Sequence, residues 1–291
     1  MSDINEKKFQ IIIEYDGTAY HGWQRQAEDR TIQAQIETAL ATMVGSPVTL
    51  MGSGRTDAGV HALAQSAHFS CITRIGPEAF KKGLNSLLPP DIVIHACRQV
   101  PPAFHARFDA AGKTYRYRIR NHPDPCAVGC QYSWHIRSPL SVDAMNAGAR
   151  HILGTHDFKA FEGAGSPRSD TRRTIFSAEW TAAPDHEIVF TISGNGFLRF
   201  MVRNLVGALT AVGQGKLAPE AIEALLAGED RRQAPPTAPP HGLFLVKVDY
   251  GSERSQKINS DDRGQMADDR KTDEDFGTLY GITCPEADDR R

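Results

Sequence analysis

Gly54-Arg55-Thr56-Asp57-Ala58-Gly59-Val60-His61-Ala62 is the stretch of this 291-residue chain whose residue types and spacing suit catalysis. It places one carboxylate two residues after an arginine, in a turn flanked by glycines. Apolar, strand-like sequence lies on both sides, at residues 48–51 and 67–69. Asp57 is therefore expected where a sheet hands a side chain to a cleft. A nearby cation favours the charged form of a carboxyl group, so Arg55 is placed to hold Asp57 ionised. An ionised carboxylate so presented serves as a nucleophile or a base. The competing reading is an Asx-turn, in which the aspartate bonds only its own backbone.

Three further clusters bear on what such a carboxylate would meet. Residues 15–26 (Tyr-Asp-Gly-Thr-Ala-Tyr-His-Gly-Trp-Gln-Arg-Gln) mix aromatics, glycines and a cation. That mixture can stack bases and contact phosphates, or simply pack a strand-to-helix connection. In Phe104-His105-Ala106-Arg107-Phe108 and Lys113-Thr114-Tyr115-Arg116-Tyr117-Arg118, basic residues alternate with aromatics, so along a strand the two kinds face opposite sides. An ordinary amphipathic strand would look the same. In Phe200-Met201-Val202-Arg203-Asn204-Leu205-Val206-Gly207, Arg203 stands among apolar neighbours. A buried arginine is rare unless paired, and Asp57 is the partner expected for it; the alternative is an arginine that snorkels to solvent from a helix end. Cys126 and Cys130, with His122 and His135 nearby, match no common structural-zinc spacing, so no metal site is expected.

Stepping outward, 40% hydrophobic and 23% charged residues describe a soluble globular chain, long enough for two ordinary domains. No apolar stretch approaches the ~20 residues needed to cross a bilayer. The polar N-terminus carries no export signal, and five scattered cysteines fit reduced thiols, so a cytoplasmic protein is expected. The net charge of −2 is unevenly spread. Seven of the 33 basic and eleven of the 35 acidic residues fall from Ser252 onward, which leaves 26 against 24 before it, a net of +2. The global balance therefore raises no objection to a basic, nucleic-acid-binding face.

The elements that must position these residues follow from periodicity. Residues 8–15 read as a strand ending at the Asp16-Gly17 turn, and Thr31 as the cap of a helix carrying Ile32, Ile36, Leu40, Met43 and Val44. Residues 47–53 and 65–70 read as short strands around the Asp57 loop. Residues 77–88 form a helix begun by Pro77 and stopped by Pro89-Pro90, and 91–100 a further strand. The order is β-α-β-β-α-β. The second half repeats it: a strand at 113–120, a helix from Ser141 through Leu153, and a hairpin of 175–181 with 187–193. Helices at 197–212 and 219–226 and a strand at 243–250 complete it. The expected fold is α+β, with two tandem split-βαβ subdomains (residues 1–102, carrying the Asp57 loop, and 103–251), antiparallel sheets and a ligand cleft between them. Residues 252–291, where Asp-Asp recurs before Arg, read as a charged, disordered tail, with 276–282 conceivable as an interaction segment.

Together, Glu14-Tyr15-Asp16-Gly17, residues 22–26, 54–61 and 104–107, Tyr115-Arg116-Tyr117 and Met201-Val202-Arg203-Asn204 stand in the order seen in TruA-type tRNA pseudouridine synthases, which residues 8–250 resemble. The resemblance implies two ferredoxin-like halves around a central catalytic cleft. It implies isomerisation of uridine to pseudouridine at positions 38, 39 and 40 of the tRNA anticodon stem-loop. It also implies a homodimer in which one tRNA contacts both subunits, with no cofactor. Carried over by motif, Asp57 is the catalytic aspartate, Tyr115 packs on the uracil, Arg203 is the basic partner of Asp57, and Arg55 fills the space of the flipped base. Phe104, His105, Ala106, Arg107, Phe108 and Lys113 are expected RNA contacts, as is the loop Arg168-Ser169-Asp170-Thr171-Arg172-Arg173. Pairing with Arg203 is expected to lower the pKa of Asp57. Two rivals stand against this reading: a non-catalytic RNA-binding module built from tandem split-βαβ domains, and a glycoside hydrolase. The hydrolase requires a second carboxylate beside the first, and the stretch 54–62 supplies only Asp57.

Overall fold

Strict alternation begins the fold. Phe9, Ile11, Ile13 and Tyr15 turn inward from β1 (Glu6–Tyr15), where a period of two puts every second side chain on the core face. The computed structural model describes residues 5–163, 170–228 and 235–251, all within one compact unit. After β1 come α1 (Ile32–Val44), β2 (Met51–Gly52), β3 (His61–Ile72), α2 (Pro77–Leu87) and β4 (Ile92–Val100). The second half holds β5 (Gly112–Asn121), β6 (Trp134–Ile136), α3 (Val142–Arg150), β7 (Gly154–Asp157), β8 (Arg172–Ala183), β9 (Glu187–Gly194), α4 (Met201–Gly213), α5 (Ala221–Gly228) and β10 (Leu243–Asp249).

The strands join into one ten-stranded sheet of order β4-β1-β3-β10-β5-β9-β8-β7, with β2 added to β3 and β6 to β5. Read by halves, β4-β1-β3-β2 and β10-β5-β9-β8 repeat one split-βαβ order, which is the expected α+β architecture. The halves meet where β10 runs parallel to the start of β3, through Phe244 opposite His61 and Leu245 opposite Ala62. The Asp57 loop of the first half thus leads into a strand paired with the last strand of the second. A single apolar core spans both halves, with Trp23, Trp180, Tyr117 and Phe9 among its largest buried side chains.

Several expected boundaries move. Residues 47–50 stay outside the sheet and only Met51 and Gly52 pair with β3. The helix expected through Leu153 stops at Arg150, because the amides of residues 151–153 bond back three residues and tighten the last turn. Thr31 precedes α1 in extended conformation, yet its buried hydroxyl makes no capping bond. Strands β6 and β7 are too short to leave a period. The helix expected from 197 begins at Met201, since Phe200 turns left-handed with φ 62°. Arg168, Ser169 and the 252–291 tail lie outside the described residues.

Candidate active site

The loop between β2 and β3 is pinned at nearly every residue, and the pinning groups come from the aromatic segment 15–26. The Trp23 amide donates to the Thr56 carbonyl (3.1 Å), and the Gly59 amide to the Tyr20 carbonyl (3.3 Å). Tyr15 and Thr56 share a hydroxyl–hydroxyl bond of 2.8 Å in the interior. On the other flank, the Ser53 hydroxyl donates to Gln65 Oε1 (2.7 Å) while Gln65 Nε2 donates to the Gly54 carbonyl (3.0 Å). Close approach demands glycine here: a Cβ on Gly17 would lie 2.1 Å from the Val60 carbonyl oxygen, and one on Gly22 2.5 Å from that of Thr56. Tyr15, Tyr20 and Trp23 are buried. These aromatics pack, as the alternative reading of the segment has it, and form the bed on which the Asp57 loop rests, while His21, Gln24 and Gln26 of the same segment line the adjacent cleft.

From that bed Asp57 projects into a cleft of about 970 Å³. Its side chain makes no Asx-turn bond; Asp57 Oδ2 instead accepts from Arg203 Nη1 at 3.2 Å. Arg203 reaches it from the first turn of α4, an otherwise buried helix. Its Nε–H donates to the Ala238 carbonyl at 2.8 Å, and the Ala238 amide returns a bond to the Arg203 carbonyl. Gly207 lets residues 236–238 lie against the helix, for a Cβ there would sit 2.1 Å from the Pro236 carbonyl oxygen.

Burial outweighs the guanidinium. Desolvation raises the Asp57 pKa above the ordinary carboxylate value, against the opposing pull of the Arg203 charge and hydrogen bond and of the Arg199 charge. The lowered value expected from pairing alone is thus reversed. Arg55 is exposed and lines the cleft, but the ion pair of Asp57 is with Arg203. Tyr115 lies in the cleft wall, edge-on to Phe197 with ring centroids 5.1 Å apart. Burial, then the Tyr15 and Asp57 side chains, push its phenol pKa upward, so it stays a neutral phenol.

The remaining expected contacts divide. Arg107, Lys113 and Arg173 line the cleft, and Lys113 Nζ also donates to the Ser53 carbonyl at 2.7 Å. Phe104 and Ala106 face the interior instead: the Phe104 ring packs on Tyr250, and the Ala106 carbonyl accepts from the Tyr250 hydroxyl. Their side chains are not offered to a ligand. Thr171 is likewise buried, its hydroxyl on Asp157. His105 is half-buried against His68, while Phe108, Asp170 and Arg172 are exposed outside the cleft lining.

Arg199 was not foreseen, and Phe200, first residue of the Arg203 segment, was given no role. Both line the cleft beside Arg203, and the one sequence cue was a second arginine four residues before the first. With Arg55, Arg107, Lys113, Arg173 and Arg203, Arg199 makes six cationic side chains in the lining, against Asp57 as the one carboxylate among the described residues there. A lone carboxylate beneath a ring of cations suits a polyanion whose reacting part enters the cleft, and a paired-carboxylate hydrolysis does not fit it.

A family model described as "tRNA pseudouridine synthase" matches residues 11–109 and 149–251. The protein named "tRNA pseudouridine synthase A" of Geotalea daltonii is 46% identical over 244 residues, covering 84% of this chain and 100% of that one. Its namesake in Ruminiclostridium cellulolyticum is 44% identical over 244 residues with the same coverage. Among solved structures, the archaeal box H/ACA sRNP Nop10-Cbf5 complex aligns at 10% identity with a TM-score of 0.34 over 82% of this chain, which spans about half (48%) of that one.

Proposed function

Since this chain belongs to the tRNA pseudouridine synthase family, a family of isomerases, we propose that it converts uridine to pseudouridine at positions 38, 39 and 40 of the tRNA anticodon stem-loop, with Asp57 as the catalytic carboxylate. The observation that carries this reading is the Asp57–Arg203 pair, held at 3.2 Å in a cleft ringed by cations.

The isomerisation breaks the N1–C1′ bond, turns the uracil while it is held and joins C5 to C1′; the proton lost from C5 is matched by one gained at N1, so the composition is unchanged. Every electron pair needed is already in the substrate and the carboxylate. Attack at C6, attack at C1′ and elimination to a glycal each begin from ionised Asp57. Arg203 keeps one carboxylate oxygen of Asp57 oriented where that residue lines the cleft. The uridine must leave the stem to reach it, at a cost of a few kcal/mol. Stacking on Tyr115, occupation of the vacated space by Arg55, and phosphate contacts from Arg107, Lys113 and Arg173 offset that cost. Reading several neighbouring positions calls for recognition of RNA shape more than of base edges. A homodimer would let one tRNA touch both subunits.

The test is the wild-type protein with unmodified tRNA, followed by carbodiimide-based primer extension. New stops mapping to positions 38–40 support the proposal. Modification at other positions would overturn the site assignment, and binding without modification would return the chain to the class of RNA-binding modules.

A further inference from the structure

Phe200 occupies a backbone conformation that a bulky side chain rarely takes. Its φ of 62° lies in the left-handed region, where glycine is the favoured residue. Such a conformation persists only when the surroundings fix it, and it clusters at functional sites. Here it immediately precedes α4, and Phe200 lines the cleft. Two guanidinium groups meet that ring: Cζ of Arg199 at 4.7 Å from its centroid and Cζ of Arg203 at 5.0 Å. Arg203 is the same group that holds Asp57.

A second feature fixes the ring from behind. A Cβ on Gly163 would fall 2.5 Å from Phe200 Cδ2, so residue 163 has no room for a side chain while the ring stays where it is. The Gly163 amide also donates to the Arg199 carbonyl at 2.8 Å, tying the two segments together. The contacts of the Arg203 guanidinium are then accounted for: Ala238 O on its Nε edge, Asp57 on one Nη, and the Phe200 ring against it. A planar cation bonded only at its edges can still rock about its stem. The Phe200 ring, with Cζ over it at 5.0 Å, limits that freedom and shields that side of the cation from water.

We propose that Phe200, backed by Gly163, is a positioning residue that clamps Arg203 and thereby aims the Asp57 carboxylate. The proposal rests on the function proposed above, and it extends that reading to two residues that act through Arg203.

The experiment compares Phe200→Leu, Phe200→Gly, Phe200→Tyr and Gly163→Ala in the full chain. Glycine suits the left-handed turn, so Phe200→Gly deletes the ring without opposing the backbone. With saturating tRNA, Phe200→Leu, Phe200→Gly and Gly163→Ala should lose about tenfold in kcat at a KM within about twofold of wild type. Phe200→Tyr, which keeps the ring, should stay near wild type. Independently of activity, ¹⁵N NMR of the arginine side chains should show slow Nη rotation at Arg203 in the wild type and Phe200→Tyr, and fast averaging in the other three. A wild-type kcat in Phe200→Leu and Phe200→Gly would overturn the proposal. So would a rise in KM alone, which would make the ring an RNA contact, or losses that simply follow a drop in melting temperature. Should the wild type itself make no pseudouridine, the function fails, while the contrast in Arg203 rotation still decides whether Phe200 clamps it.

Discussion

Asp57 Oδ2 and Arg203 Nη1 meet at 3.2 Å although 146 residues of chain separate them. The two side chains are 23% and 13% exposed, so water screens their attraction only in part. The contact ties a loop of the first half to a helix of the second, and it is built from backbone as much as from charge, because Ala238 fixes Arg203 through bonds in both directions.

Arg203→Lys should therefore fail as a conservative change. An ammonium cannot bond the Ala238 carbonyl and Asp57 in the planar geometry that the guanidinium supplies. Turnover should fall on the order of 10²-fold with tRNA affinity nearly kept, as read by single-turnover assays beside filter binding. Equal loss of binding and turnover would move Arg203 from orienting Asp57 to gripping RNA.

The pH dependence carries a definite sign. Because burial raises the pKa of Asp57, the carboxylate that the proposed reaction requires is lost at a higher pH than an ordinary aspartate would show. The acid limb of the kcat profile should lie above the ~3.9 of a free aspartate. For stability, a raised folded-state pKa is a contribution present below the unfolded value and lost as pH rises through the folded one. Ionised Asp57 thus works against folding at neutral pH, and Asp57→Asn should melt no lower than wild type there. A clear drop in melting temperature would show that the pairing with Arg203 outweighs burial.

The loop's bed should matter to rate. Tyr15→Phe strips the Thr56 hydroxyl of its 2.8 Å partner and leaves a buried polar group unsatisfied. That costs about 1–3 kcal/mol of stability, and kcat should fall because Thr56 adjoins Asp57. Chemical denaturation and turnover measured together check both halves of the statement.

Phosphate contacts should appear as salt dependence. Arg107→Ala and Arg173→Ala, both from the cleft lining, should each weaken tRNA binding and reduce the slope of log K against log salt by about one. Unchanged slopes would place the RNA elsewhere.

Much of this was legible in the residues alone. The strand at β1 and the order of the first half follow from alternation and from proline and glycine punctuation. Arg203 announced its need for an acid by standing alone in an apolar helix. What escaped has a common cause. Whether Tyr15, Tyr20 and Trp23 stack on a ligand or on the protein depends on burial, which arises only when β1 and β3 close around them. The direction of the Asp57 shift depends on the same burial, and sequence supplied only the opposing charge. Of the two cations the sequence offered to Asp57, the ion pair is with Arg203, the partner named from its place in an apolar helix, while Arg55 lines the cleft. Phe200 left no periodic trace, because its left-handed turn interrupts a run that is apolar on both sides.

The central claim, that the Asp57 carboxylate performs the reaction, is tested most directly by Asp57→Asn assayed for tritium release from [5-³H]uridine-labelled tRNA, with binding measured on the same preparation. The predicted result is tRNA bound with near wild-type affinity and no tritium released above background. Tritium release at the wild-type rate would contradict it.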